Sequence, residues 1–152
     1  MASMDEVEIA VQEAKRLLSE HGYDCQVEAE ELRLWFEADT IYDTDFGLDK
    51  VIARPLIVVH ELVEIDNVKK MGLTLTKDVI VNNAQKVDDA HLKATEVELE
   101  IAASLGDLKH IRDRLDDIRM WMEDTSVTPG DRRRYREMWE RLSKNLENMN
   151  QA

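Results

Sequence analysis

The sequence predicts an α+β fold that is mainly helical and includes a small antiparallel sheet. Two patterns in this chain of 152 residues support that class. Apolar residues recur every three or four positions over most of its length, which is typical of amphipathic helices. Between residues 25 and 36 they instead alternate with polar residues, which is typical of strands. A hydrophobic content of 43% is enough for one core, so we expect a single domain over residues 1–152.

The N-terminal part is predicted to contain the first helix and the whole sheet. Residues 4–21 carry apolar side chains at helical spacing, and Gly22 is well placed to end that helix. Residues 25–36 are predicted to form two antiparallel strands that turn near residues 30–31. A short third strand is predicted around residues 41–42, so the sheet would have two or three strands.

Four helices are predicted to follow the sheet. The first two cover about residues 50–71 and 76–105, and each ends at a glycine. The last two begin near Asp107 and Thr128, whose side chains suit the N-cap position. Because the turn between them is short, we expect these two helices to form an antiparallel hairpin.

Net charge and cysteine content argue against several classes of function. The net charge of −13 repels phosphate, so neither nucleic acid nor an anionic membrane surface is expected as a partner. The single cysteine, Cys25, allows no internal disulfide and fits a reducing compartment. No apolar run approaches the ~20 residues that span a bilayer, and the N-terminus lacks the layout of a secretion signal. We therefore expect a cytoplasmic protein.

The strongest candidate for a chemical site begins with three ionisable residues in an apolar helix. His60, Glu61 and Glu64 interrupt the segment PLIVVHELVEI, residues 55–65. His60 and Glu64 are four positions apart, so they lie on one face of the helix, one turn from each other. A helix that is apolar almost all round is expected to be central in the fold. Ionisable side chains are costly to bury alone, which indicates that something pairs with them.

The predicted helix over residues 76–105 offers partners at matching helical phase. Two of its inner positions are occupied by His91 and Glu98 instead of apolar residues. If the two helices pack together, two imidazoles and two carboxylates converge, and this donor set suits zinc, iron or manganese. The predicted metal ligands are His60, Glu64, His91 and Glu98. Glu61 would either orient a ligand or act as the general base on a metal-bound water.

The segment His60-Glu61-Leu62-Val63-Glu64 resembles the HExxH motif of zincin metalloproteases, with Glu64 in place of the second histidine. The predicted order of a helix, a small sheet, the motif helix and a further helix is similar to that of a minimal zincin. The resemblance implies that His60 binds the metal and that Glu61 is the catalytic base. It also implies that Glu64 replaces the second histidine ligand, with His91 or Glu98 as the third. A metal-dependent hydrolase, with a peptidase as its most specific form, is the function that these residues predict.

A non-enzymatic function is the alternative. Buried histidines and glutamates on facing helices can form a structural hydrogen-bond network without any metal. The chain would then be a helical protein that self-associates or binds a partner through its C-terminal helices, with a homodimer as one form. Under either function, the single domain could divide into a helix-sheet-helix core of residues 1–105, which would hold the candidate metal site, and a helical hairpin of residues 106–152.

Overall fold

The computed structural model describes residues 2–40 and 47–151, and for residues 150 and 151 it describes the backbone only. In these ranges the chain is helical and contains no strand. The described helices are α1 (Met4–Glu20), α2 (Ala29–Glu37), α3 (Leu48–Ile52), α4 (Pro55–Lys70), α5 (Val79–Asn82), α6 (Ala84–Ser104), α7 (Leu108–Glu123) and α8 (Pro129–Gln151). The predicted α+β class is therefore wrong. The chain divides into two compact units, residues 1–101 and 102–152.

Helix α1 forms as its apolar spacing predicts. The hydroxyl of Ser3 accepts a hydrogen bond from the backbone N–H of Glu6 at 3.2 Å and caps the first turn. The helix ends before Gly22, which has a φ of +78°, a conformation that glycine adopts without steric cost. The apolar face buries four side chains, those of Val7, Val11, Ala14 and Leu18.

The predicted strand pair is instead an extended segment followed by helix α2. Glu28 and Glu31 form a capping box, in which each side chain accepts from the other's backbone N–H. The buried residues Ala29, Leu32 and Trp35 are spaced by three, so they lie on one helical face. The alternation of Leu32, Leu34 and Phe36 suggested a strand, but Leu34 is 37% exposed. The third strand predicted around residues 41–42 lies outside the described residues.

Helix α4 is the central helix of the first unit. The predicted helix over residues 50–71 is broken at Arg54, because Pro55 has no N–H to donate and becomes the first residue of a new helix. Helices α1, α2 and α3 all pack against α4. Eleven of its residues are buried, and they include both His60 and Glu64. The expectation that this apolar helix lies in the core is confirmed.

The predicted helix over residues 76–105 is also divided. The side-chain amide of Asn83 donates to the carbonyl of Val79 at 2.9 Å, and the backbone at Asn83 leaves helical geometry. Helix α6 begins directly afterwards. The predicted inner positions Val87, Ala94, Glu98 and Ile101 of α6 are buried, but Leu105 is 54% exposed.

The second unit contains α7 and α8, which pack on each other as the predicted hairpin. Asp107 caps α7 by accepting from the backbone N–H of His110 at 3.1 Å, and Thr128 accepts similarly from Asp131 at 3.2 Å. Near the turn, the rings of Trp121 and Tyr135 lie 5.3 Å apart between centroids. None of the described helices combines the length and the apolar character needed to cross a lipid bilayer.

Candidate metal centre

The candidate site lies in the first unit, where α4 and α6 face each other. His60 and Glu64 are one turn apart on α4, while His91 and Glu98 are two turns apart on α6. His60 and Glu98 are among the least accessible side chains, with 3% and 0% exposed. The two helices thus bring all four predicted ligand residues to one place.

Three of these residues direct one donor atom each toward a common point. His60 Nε2 lies 3.1 Å from Glu64 Oε2 and 3.2 Å from His91 Nδ1. The third side of the triangle, from His91 Nδ1 to Glu64 Oε2, is 3.5 Å. Among the residues that the structure describes, these three form the group whose donor atoms could hold a metal ion.

Glu98 lies on the opposite side of the His60 ring. Its Oε1 is 2.8 Å from His60 Nδ1, so the two ring nitrogens of His60 face different partners. The imidazole therefore spans the space between His91 and Glu98 on α6. Glu98 contacts the histidine and does not belong to the group of three donor atoms.

The buried charges of the cluster stabilise one another. Burial alone would lower the pKa of His60, but hydrogen bonds with Glu64 and Glu98 raise it to about 10. Burial would raise the pKa of Glu64, but hydrogen bonds from His60 and His91 lower it to about 2. Near neutral pH the metal-free cluster therefore holds an imidazolium that contacts both Glu64 and Glu98.

Solvent reaches the group from the side of His91. The His91 side chain is 26% exposed, compared with 9% for Glu64. The hydroxyl of Thr95, one turn further along α6, donates to the backbone carbonyl of His91 at 2.8 Å. The group is thus buried at His60 and partly exposed to solvent at His91.

The remaining predicted residue, Glu61, is part-exposed and lies outside the group of three. Sequence reasoning did not single out Asp66, which is the other buried acid of α4. Its carboxylate accepts from the hydroxyl of Tyr23 at 3.1 Å and pairs with Lys70 at 2.7 Å. Asp66 is therefore a buried carboxylate whose partners include a tyrosine and a lysine, and it serves as a comparison for the carboxylates of the candidate site.

A comparison of the chain with protein-family models, curated proteins and solved structures finds no match.

Proposed function

We propose that the protein binds a divalent metal ion through His60 Nε2, His91 Nδ1 and Glu64 Oε2. The observation that carries this proposal is the size of the triangle formed by these atoms, with sides of 3.1, 3.2 and 3.5 Å. Bonds of about 2.0 Å in a tetrahedral zinc site separate neighbouring ligand atoms by about 3.3 Å. The three donors are already at this separation, so an ion would require little movement of the side chains.

The charge of the cluster supports a divalent ion. When both histidines are neutral, as metal ligands must be, Glu64 and Glu98 leave two negative charges in a buried site. An ion of charge +2 neutralises both and offsets their desolvation. Two imidazoles and one carboxylate suit zinc, iron or manganese.

Metal-dependent hydrolysis is the reaction class that we propose for this site. Three protein ligands leave a coordination position open for water, as in catalytic zinc sites, and the exposure of His91 gives access to it. Glu61 is proposed as the base, and peptide hydrolysis as the most specific form of the reaction. Because the predicted sheet is absent from the described residues, the zincin resemblance now depends on residues 60–64 alone, and membership of that family is not part of the proposal.

Metal content tests the binding site directly. The protein is purified without added metal, and bound metals are measured by elemental analysis before and after loading with zinc. We expect close to one ion per chain in the wild type and loss of the ion in a His60→Ala/His91→Ala double variant. His21→Ala is the matched control, because His21 is an exposed histidine at the end of α1 and should not affect binding. Absence of metal from the wild type, with no thermal stabilisation by added zinc, would overturn the proposal.

Glu61→Gln tests the catalytic role separately. The zinc-loaded variant is assayed against a panel of ester, phosphoester and peptide substrates. We expect it to retain the ion and to lose any hydrolysis that the wild type shows, since the amide cannot accept a proton from water. Unchanged hydrolysis in this variant would show that Glu61 is not the base, but it would not contradict the proposed metal site.

Self-association through the C-terminal hairpin is a second proposal. Met120 on α7 is 61% exposed, and Leu142 and Leu146 of α8 are only partly buried. A second copy of the hairpin could cover these apolar side chains and form a homodimer.

We also propose a cytoplasmic location, which the single buried cysteine supports.

A further inference from the structure

We infer that Glu98 is a positioning residue, which fixes the His60 ring so that Nε2 faces the ion, and that it does not bind the ion itself. This inference rests on the proposed metal site. The sequence pattern alone made Glu98 a ligand, because it occupies an inner position of α6 in phase with His91. The hydrogen bond to His60 Nδ1 gives it a different task.

The geometry separates Glu98 from the ion. The two nitrogens of an imidazole point to opposite sides of the ring, and in His60 Nε2 faces Glu64 and His91. The Oε1 atom of Glu98 is 2.8 Å from Nδ1, on the far side. An ion bound at Nε2 therefore has the His60 ring between it and this carboxylate oxygen.

The chemistry of the hydrogen bond selects one tautomer of His60. A neutral imidazole carries one proton, and an ionised carboxylate can only accept a hydrogen bond. When an ion takes the place of the Nε2 proton that faces Glu64 in the metal-free protein, the remaining proton is held on Nδ1 by Glu98, and the lone pair of Nε2 is available to the metal. The negative charge of Glu98 also makes the ring a stronger donor to the ion. Without this partner the ring could carry its proton on either nitrogen.

The position of Glu98 in the core agrees with this role. Its side chain is fully buried on a helix face that also carries the buried residues Ala94 and Ile101. A leucine at this position would fill the space without the desolvation cost of a carboxylate. The buried carboxylate of Asp66 differs from that of Glu98, because its partners include a lysine and a tyrosine side chain and not a histidine of the candidate site.

Two substitutions of Glu98 test the inference by zinc affinity, which is measured by competition with a chromophoric chelator. Glu98→Ala removes the acceptor, and we expect affinity to fall by about 10–100-fold. Glu98→Gln keeps an amide oxygen that can accept from Nδ1, and we expect most of that loss to be recovered. Asp66→Asn is the matched control, because it removes a different buried carboxylate of the same unit and should leave affinity unchanged.

Cobalt substitution then distinguishes a positioning residue from a ligand. If Glu98 lies outside the coordination sphere, the visible absorption bands of bound Co²⁺ keep their positions and intensities in Glu98→Gln, whereas His91→Ala changes them. Altered bands in Glu98→Gln would make the residue a ligand and overturn the inference.

The tautomer can also be read in the wild type, so the test does not depend on a variant that folds poorly. In the zinc-loaded protein, ¹⁵N NMR of the His60 ring is expected to show the proton on Nδ1 and the metal on Nε2. Zinc on Nδ1 would overturn the inference. Failure of the wild type to bind zinc at all would overturn the proposed function, whereas normal binding with unchanged affinity in Glu98→Ala would overturn only the role of Glu98.

Discussion

Alkaline pH should weaken the metal-free protein through one residue, His60. The pKa of His60 is about 10 in the folded protein, against an ordinary value of 6.5. Because the folded-state pKa is the higher one, the folded chain holds this proton more tightly than the unfolded chain. The stabilisation is therefore complete below about pH 6.5 and is lost as the pH rises toward 10.

The magnitude follows from the difference between these pKa values. At roughly 1.4 kcal/mol per unit of pKa, the difference sets a ceiling of about 5 kcal/mol. The lowered pKa of Glu64 describes the same attraction from the carboxylate side, so the two contributions are not added. The stabilisation begins to fall at about pH 6.5, the ordinary pKa of histidine, and pH 8.5 lies about two units higher. Between about pH 5.5 and pH 8.5 we therefore expect the free energy of unfolding to fall by about 3 kcal/mol.

Urea unfolding in the presence of a chelator measures this effect. Other groups also titrate in this range, so the quantity of interest is the difference in unfolding free energy between the wild type and His60→Gln. The glutamine cannot titrate, so this difference should shrink by about 3 kcal/mol from pH 5.5 to 8.5. It should also shrink below about pH 4.5, as Glu64 takes up a proton. A difference that stays constant over the whole range would refute the argument.

Three further predictions concern the fold and the hairpin. Leu62→Ala, at a fully buried position of α4, should lower the free energy of unfolding by about 2–5 kcal/mol in urea titrations. Gly72→Ala should cost about 1 kcal/mol in the same assay, because Gly72 has a φ of +86°, while Gly130→Ala, without a positive φ, should cost nothing. If the hairpin mediates a homodimer, Met120→Lys should halve the mass measured by light scattering, and an unchanged mass would exclude this face of α7.

The helices with long apolar repeats and clear caps could be predicted from the sequence. For α1, α7 and α8, spacing and capping residues indicate the same structure, and the caps at Asp107 and Thr128 form as expected. The error over residues 25–36 has a physical cause. A short apolar pattern fits a period of two as well as a period of three to four, and the reciprocal bonds of Glu28 and Glu31 decide in favour of the helix.

The breaks within predicted helices were harder to foresee. Pro55 suits the first turn of a helix, so its presence did not show whether a helix continued before it. At Asn83 the side chain competes with the backbone for the carbonyl of Val79, which propensity alone does not reveal. These breaks alter helix lengths but not the phase of α4 or α6 near the candidate site.

The sequence predicted the meeting of four residues at the site from helical phase alone. Phase placed His60, Glu64, His91 and Glu98 on facing sides of two helices, and the structure brings them together. Phase does not indicate which nitrogen of a histidine meets which partner. That information requires the position of the His60 ring between its neighbours, and it separates Glu98 from the proposed ligands.

A triple substitution tests whether the buried cluster contributes to the stability of the fold or to metal binding. Replacing a buried ionic network by apolar residues of similar volume is often neutral or stabilising by about 1–4 kcal/mol. A triple variant, His60→Phe, Glu64→Met and Glu98→Leu, should therefore unfold at the same or higher urea concentration than the wild type when both are free of metal. Zinc at 100 times its dissociation constant should stabilise the wild type by about 2.7 kcal/mol and leave the variant unchanged. If the variant is much less stable without metal and zinc stabilises neither protein, the cluster stabilises the fold and the metal site is refuted. If the variant is at least as stable and zinc stabilises only the wild type, the buried charges are retained for binding the ion.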